Sequence, residues 1–253
     1  MEFIRQEGIT SYVKPFVLKG SKRIMVINDV HIPKHNKEVS NIALNQLKYY
    51  DTLIINGDLI DFEGVGRYKK HPKQMQIEDE AKVVRGILKR IRNKFDGRII
   101  YKQGNHEKRL DDYIWLNAEA LFGVEALNVR ELLKLDDFGI TPVHYNQLIK
   151  VNDLFIMHGH EVKSTGNLIN IARQYLTKLQ ANIIIGHWHT VQSYGMRNLM
   201  GEYKTVWVNG CLCDLFPEYN LINQWKHGFA EIIITKDGGY IVNLREIKGG
   251  EIH

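Results

Sequence analysis

The sequence of 253 residues has little cysteine and proline, and it contains no long apolar run. Its two cysteines, Cys211 and Cys213, are one residue apart, which is poor geometry for a disulfide, and no other cysteine could form a framework. We therefore expect a reducing, cytoplasmic location. Because no stretch of 18 apolar residues and no secretory signal pattern are found, we expect neither a membrane span nor a membrane partner.

The composition is that of a globular chain long enough to bury a full core, with 44% hydrophobic and 25% charged residues. This excludes disordered and collagen-like classes. The net charge of +5 is typical of an ordinary solvated surface and only weakly favours a polyanionic partner. We find no linker or repeat, so we predict a single domain over residues 1–253 with an N-terminal extension at 1–21. Nothing in the sequence specifies an oligomeric state. The unusual component is histidine, with 11 residues.

Apolar runs alternate with helical patterns in the first half of the chain, which predicts β-α-β units and a parallel sheet. The predicted strands are Arg23–Ile27, Thr52–Asn56 and Arg98–Lys102, and the predicted helices are Glu38–Tyr50 and Glu78–Asn93. The segment 109–135 is predicted to be a helical insertion. The second half is richer in strands, with one helix predicted among them. Its predicted elements are strands Gln147–Val151 and Leu154–Met157, helix Leu168–Leu179, and strands Asn182–Ile185, Thr205–Val208, Phe229–Thr235 and Tyr240–Ile247.

Polar residues follow five of the predicted strands directly. The five segments are Asp29-Val30-His31, Gly57-Asp58, Gly104-Asn105-His106-Glu107, His158-Gly159-His160 and Gly186-His187-Trp188-His189. Because ligands bind at the carboxyl ends of strands in α/β sheets, these side chains are expected to converge on one rim. Asp, Asn and His without Cys are typical ligands of Mn²⁺, Fe or Zn²⁺ rather than of a thiolate site.

Taken together, the five segments resemble the signature of the calcineurin-like metallophosphoesterase superfamily, which is D-x-H, G-D, G-N-H-[DE], a single His and G-H-x-H. The resemblance extends from Arg23 to Asn209. It implies an α/β fold, a four-layer α/β/β/α sandwich with a binuclear metal site at the strand carboxyl ends. The implied cofactors are two divalent metal ions, with Mn²⁺ favoured and Fe, Ni²⁺ or Zn²⁺ as alternatives.

The resemblance also implies a role for each motif residue. Asp29, His31 and His189 would bind one ion, and Asn105, His158 and His187 would bind the other, with Asp58 bridging the two. His158 is preferred to His160 because it directly follows a strand. A hydroxide that bridges the ions would attack phosphorus in line. His106 would assist the leaving group as the catalytic acid, supported by Asp61.

The predicted function is that of a phosphodiesterase whose substrate is a phosphoester, with DNA, RNA or a nucleotide favoured. Residues Gly57–Glu63 lack the Arg-Gly that follows the second Asp in protein Ser/Thr phosphatases, which argues against that class. Tyr68 and Trp115 are candidates to stack on bases. The predicted substrate contacts are Arg67, Lys70, Arg109 and His160. Two alternatives stay open: a phosphomonoesterase, and a metal-poor scaffold such as the retromer subunit of this fold.

Overall fold

A computed structural model of the chain describes residues 13–66, 75–163, 169–218 and 220–253. These residues form thirteen β-strands and five α-helices, joined by loops and short 3₁₀ turns. The strands are β1 Phe16–Val17, β2 Arg23–Ile27, β3 Thr52–Asn56, β4 Arg98–Lys102, β5 Ile140–Val143, β6 Ile149–Val151, β7 Leu154–Met157, β8 Asn182–Ile185, β9 Gln192–Arg197, β10 Tyr203–Val208, β11 Gly228–Ile234, β12 Tyr240–Lys248 and β13 Glu251–Ile252. The helices are α1 Lys37–Leu44, α2 Ile77–Arg92, α3 Asn105–Asn117, α4 Val129–Leu132 and α5 Ile171–Leu179.

The first sheet has seven strands in the order β13-β12-β11-β2-β3-β4-β5. Strands β2 to β5 are parallel, which the sequence predicts for β2, β3 and β4, and β11 joins β2 in the antiparallel sense. The register sets Met25 beside Leu53 and Leu53 beside Ile99. Adjacent strands therefore end at the same edge of the sheet.

The second sheet has six strands in the order β1-β6-β7-β8-β10-β9. Strands β7, β8 and β10 are parallel to one another, whereas β9 is an antiparallel edge strand. The predicted strands Gln147–Val151 and Leu154–Met157 correspond to β6 and β7, which pair as an antiparallel hairpin.

Side chains alternate between the two faces of each central strand, and this alternation builds three core clusters. On β2, Met25 and Ile27 pack in a cluster with α1 and α2. Ile24 and Val26 pack instead in a cluster with strands of the second sheet. The third cluster joins the far face of the second sheet to α5. The clusters thus place the layers in the order helix, sheet, sheet, helix, in agreement with the predicted fold class.

The predicted helical insertion differs from the structure in its bounds and its continuity. Helix α3 begins earlier, at Asn105, because Glu107 at its third position accepts a hydrogen bond from the backbone N–H of Gly104 at 2.7 Å. It ends at Asn117, and the chain continues through two 3₁₀ turns to the four-residue α4. Among the described residues, no helix has the length and apolar character needed to cross a bilayer.

Candidate metal centre

The seven candidate ligands all follow strands of the two sheets and meet at one rim of the sandwich. Five of them have positive backbone φ angles, between 50° and 68°: Asp29, His31, Asp58, His187 and His189. For residues other than glycine this left-handed conformation costs on the order of 1–3 kcal/mol each. Strain of this kind persists only where surrounding contacts impose it, and it is common at functional sites.

The first group of ligand atoms surrounds the carboxylate of Asp29, which is fully buried. Its Oδ1 lies 3.2 Å from Nε2 of His189 and 3.7 Å from Nε2 of His31. The two imidazole Nε2 atoms are themselves 3.2 Å apart. Burial alone would lower the pKa of His189, but Asp29 and Cys213 raise it to about 9. A metal cation bound here would take the place of the proton that the Asp29 carboxylate favours on the imidazole of His189.

The second group is centred on Asp58, the predicted bridging ligand. Its Oδ2 lies 3.2 Å from Nε2 of His158 and 3.8 Å from Nε2 of His31, so it faces both groups. A ligand atom of His187 also lies within 4.8 Å of those of Asp58 and His158. Burial and the charge of His158 lower the pKa of His187 to about 3, which keeps its ring neutral and able to coordinate.

Two buried atoms in this second group have no hydrogen-bond partner among the described residues, namely Oδ1 of Asn105 and Nε2 of His158. The Nδ1 atom of His158 donates to the carbonyl oxygen of Asn56 at 2.8 Å, so Nε2 is the ring atom that is left to coordinate an ion. Buried polar atoms without partners are rare in native proteins, and a metal ion is a standard reason for them. The donor set of carboxylates, imidazoles and one amide therefore fits divalent ions of the Mn²⁺, Fe and Zn²⁺ kind.

Glycines at positions 57 and 104 permit the close approach of these loops. A Cβ atom at Gly104 would collide with Oδ1 of Asp58, and one at Gly57, where φ is +84°, would collide with Nδ1 of His158. The glycines of the G-D and G-N-H segments are therefore required by packing as well as by turn geometry.

Asp58 is held in place by Glu107, whose structural role the sequence did not reveal. Both oxygens of the buried Glu107 carboxylate accept hydrogen bonds. The donors are the backbone N–H of Leu59 at 2.8 Å, of Asp58 at 3.0 Å and of Gly104 at 2.7 Å, and the hydroxyl of Tyr101 at 2.6 Å. One carboxylate thus joins the β3 loop to the start of α3. The signal that could have identified it is the Glu of the G-N-H-[DE] segment itself.

Asp29 is held by a comparable network that the sequence analysis missed. Its Oδ2 accepts hydrogen bonds from the amide of Asn28 and from the backbone N–H of His187, the latter at 2.7 Å. The side chain of Asn28 in turn accepts from Asn209, whose amide also donates to the carbonyl of Val26 at 3.0 Å. Because these partners are 181 residues apart in the chain, local sequence patterns could not identify them.

His106 lies beside both groups, and Asp61 and Arg109 fix the orientation of its ring. Its Nδ1 is 2.8 Å from the carbonyl oxygen of Asp61 and 3.0 Å from its Oδ1. A guanidinium N–H of Arg109 donates to Nε2 at 2.8 Å. Since guanidinium can only donate, Nε2 is the acceptor and Nδ1 carries the proton. Burial accordingly lowers the pKa of His106.

Asp61 orients two rings rather than contributing to either group directly. Its Oδ1 also lies 3.2 Å from Nδ1 of His31, which turns Nε2 of His31 toward the cluster. Its Oδ2 pairs with the ammonium of Lys34 at 2.7 Å. Although burial alone would raise the pKa of Asp61, its hydrogen bonds with His106 and His31 hold it well below the usual range.

The remaining predicted contacts differ in their placement. Arg109 lies at the site, whereas Arg67, Lys70 and the stacking candidate Tyr68 are outside the described residues. His160 is near His158, with ring centroids 5.5 Å apart, but both of its nitrogens lack a hydrogen-bond partner within the described part of the chain. Burial lowers the pKa of His160 to about 4, so its ring is neutral.

The buried Cys213 is an addition to the predicted set. Its Sγ lies 3.7 Å from Nδ1 of His189, on the opposite side of the ring from the Nε2 atom that faces Asp29. A hydrogen bond with Cys211 and burial raise the pKa of the Cys213 thiol well above its usual value. The geometry therefore makes Cys213 a group that orients His189.

Comparison with known proteins identifies the family of this chain. The family model described as calcineurin-like phosphoesterase matches residues 22–222, so the chain belongs to this family of metal-dependent phosphoester hydrolases. It is 27% identical over 252 residues to the Gene 54 protein of Mycobacterium phage L5, with 91% of this chain and 95% of that protein covered.

Two solved structures also align with most of the chain. Vps29 from Entamoeba histolytica complexed with zinc is 14% identical, with a TM-score of 0.48 and coverage of 91% of this chain and 96% of that one. Purple acid phosphatase PPD1 from yellow lupin seeds is 10% identical, with a TM-score of 0.49 and coverage of 93% of this chain and 53% of that one.

Proposed function

We propose that the protein is a binuclear phosphodiesterase that acts on single-stranded nucleic acid, with Mn²⁺ as the favoured metal. The observation that carries this proposal is that His106 and Arg109 lie beside the two ligand groups, at the start of α3. The face of α3 that carries these two residues also carries the exposed Tyr113. Two divalent ions, when bound, would supply a nucleophilic hydroxide and neutralise charge on the phosphoryl oxygens. Side chains of this protein would bind the substrate and protonate the leaving group.

Arg109 and His106 would act in sequence on the substrate. The guanidinium now donates to Nε2 of His106, but a phosphate oxygen is a stronger acceptor than a neutral imidazole. When Arg109 moves to that oxygen, Nε2 is released and can take up a proton. The carboxylates of Asp58, 3.6 Å from Nε2, and of Asp61 favour the protonated ring. His106 can then donate to the departing oxygen, the role that the family resemblance implies.

The face of α3 offers a path for a longer substrate. His106, Arg109 and Tyr113 are spaced i, i+3 and i+7, so they lie on one side of the helix. Tyr113 is 41% exposed and lies about 10 Å along the helix axis from His106, given a rise of about 1.5 Å per residue. Trp115, nine residues from His106, points about 180° away and packs against Phe122, so Tyr113 replaces it as the stacking candidate.

The decisive experiment supplies Mn²⁺ and compares bis-p-nitrophenyl phosphate, p-nitrophenyl phosphate, and single-stranded DNA and RNA oligonucleotides. We expect the diester to be hydrolysed faster than the monoester, and oligonucleotide affinity to fall steeply with salt. Preference for the monoester would instead establish the phosphomonoesterase alternative. Absence of any turnover in protein loaded with metal would favour the scaffold alternative.

Two substitutions separate the chemical step from strand binding. Arg109→Gln should reduce turnover of every diester. Tyr113→Leu should reduce kcat/KM for the oligonucleotide about 5- to 150-fold relative to that for bis-p-nitrophenyl phosphate, since one base stack contributes about 1–3 kcal/mol. Tyr49→Leu is a matched control, because Tyr49 is 52% exposed and lies before β3, away from the candidate ligands. An unchanged ratio in Tyr113→Leu would refute the proposed path along α3.

A further inference from the structure

A cavity of about 430 Å³ lies between α1, α2 and the outer face of the first sheet. Its floor is apolar and includes Ile27, Leu59 and Ile91. Val30, which lies between Asp29 and His31 in the sequence, also faces it. The cavity therefore occupies the opposite side of the loops that carry the candidate metal ligands. Its volume falls within the range of about 300–1,000 Å³ that is typical of small-molecule sites.

Ser40 is the buried polar side chain of the lining, whereas the other polar lining residues, His35, Lys37, Asn41 and Arg90, are half-buried or exposed. Ser40 on α1 is 7% exposed, and its Oγ has no hydrogen-bond partner among the described residues. A serine inside a helix commonly donates to the carbonyl four residues earlier. Here the carbonyl of Asn36 accepts from the backbone N–H of Ser40 at 2.9 Å, and no bond from the hydroxyl is formed. The hydroxyl is thus a buried donor that a ligand oxygen could satisfy.

The mouth of the cavity is positively charged. Lys37 from α1 and Arg90 from α2 both line it and are exposed, and neither forms an ion pair with an acidic side chain in the described ranges. Both lie close enough to His35, another lining residue, for their charges to act on its ring. Asp214 is the acidic group that also acts on this ring. Two cations at the entrance of an apolar cavity favour an anion at the mouth.

We propose that this cavity binds a small molecule with a compact apolar body and a single anionic group. The apolar body covers Ile27, Leu59 and Ile91, where its transfer from water is favourable. The carboxylate, sulfonate or phosphate lies between Lys37 and Arg90, and one of its oxygens accepts a hydrogen bond from the hydroxyl of Ser40. This site is separate from the metal centre, so its existence does not depend on the proposed hydrolase substrate.

Binding can be tested with 8-anilinonaphthalene-1-sulfonate, an aromatic sulfonate whose fluorescence rises in apolar sites, titrated onto the folded protein. Gly86 on α2 lines the cavity, and a Cβ atom built there meets no other atom within 4 Å. Gly86→Leu should therefore fold, because leucine favours a helix more than glycine does, and its side chain should fill the cavity. We expect it to weaken probe binding at least tenfold. Gly86→Ala, the matched control, should change the affinity less than twofold.

The charge requirement is tested separately by isothermal titration calorimetry. Arg90→Gln should weaken binding of the probe about threefold to tenfold, whereas Lys89→Gln, on the same helix but outside the lining, should leave it unchanged. Decanoate should displace the probe, and decanol should do so at least tenfold less effectively. Equal probe affinity in Gly86→Leu and the unsubstituted protein would refute the site, and equal displacement by decanol would refute the anionic part of the proposal.

Discussion

The substitution Glu107→Gln tests how the metal centre is held in place. The Glu107 carboxylate accepts four hydrogen bonds of 2.6 to 3.0 Å, from Tyr101, Gly104, Asp58 and Leu59. A carboxamide keeps one acceptor oxygen and turns an N–H group toward two of these donors. Each buried donor left without a partner costs about 1–3 kcal/mol. We therefore expect the free energy of unfolding to fall by about 2–6 kcal/mol.

This loss is measured by urea denaturation of protein without metal, which separates it from any effect of ion binding. Glu119→Gln, an exposed position just after α3, is the matched control and should change stability by less than about 0.5 kcal/mol. The affinity for Mn²⁺ should also fall about 10- to 100-fold in Glu107→Gln, as is usual when a group that orients a ligand is removed. A Glu107→Gln protein as stable as the control would contradict the argument.

Two further predictions concern buried charges. Burial raises the pKa of Glu80 to about 7, although its carboxylate accepts a hydrogen bond from the backbone N–H of Phe62 at 2.8 Å. The folded state therefore holds a proton on Glu80 that the unfolded state releases above about pH 4.5. The free energy of unfolding of the unsubstituted protein, relative to that of Glu80→Gln, should therefore fall by about 1–3 kcal/mol between pH 4.5 and 7 and stay level above pH 7. Thermal melts of both proteins at a series of pH values measure this difference. A stability difference that does not depend on pH would contradict the prediction. The fully buried ammonium of Lys102 pairs with Glu161 at 2.7 Å, so Lys102→Met should destabilise the protein by about 3–5 kcal/mol, because it leaves a buried carboxylate unpaired. Adding Glu161→Gln should recover part of that loss in the same urea assay, and full additivity of the two effects would show that the pair is not coupled.

The central strands could be predicted from the sequence because their apolar runs end abruptly. Strands β2, β3, β4 and β8 have the predicted bounds. Each is buried on both faces of its sheet, and a continuous apolar run bounded by polar or glycine residues is an adequate signal for this environment. The edge strands gave no such signal. Strand β5 contains Pro142, and β9 carries mostly polar residues on an exposed edge, so their formation depends on the neighbouring strand.

The candidate ligands could be identified from their positions after strands, but their supports could not. The hydrogen bond of Asn209 to Asn28 joins loops from different sheets, and that of Cys213 to His189 joins two loops that follow strands of the second sheet. Only the folded chain brings these residues together. The contact of Arg109 with His106 is local by comparison, since the two residues are one helical turn apart. It nevertheless required the structure, because the early start of α3 at Asn105 determines which residues share a face with His106.

The most direct test of the account is the number of metal ions that one chain binds. Protein stripped of metal should be titrated with Mn²⁺ by isothermal calorimetry, and the bound ion measured by elemental analysis. The account predicts two ions per chain, and one ion in a His187→Ala variant, whose substitution removes a ligand of the second group alone. A single ion in the unsubstituted protein, or two tightly bound ions in His187→Ala, would contradict a binuclear centre built from these residues.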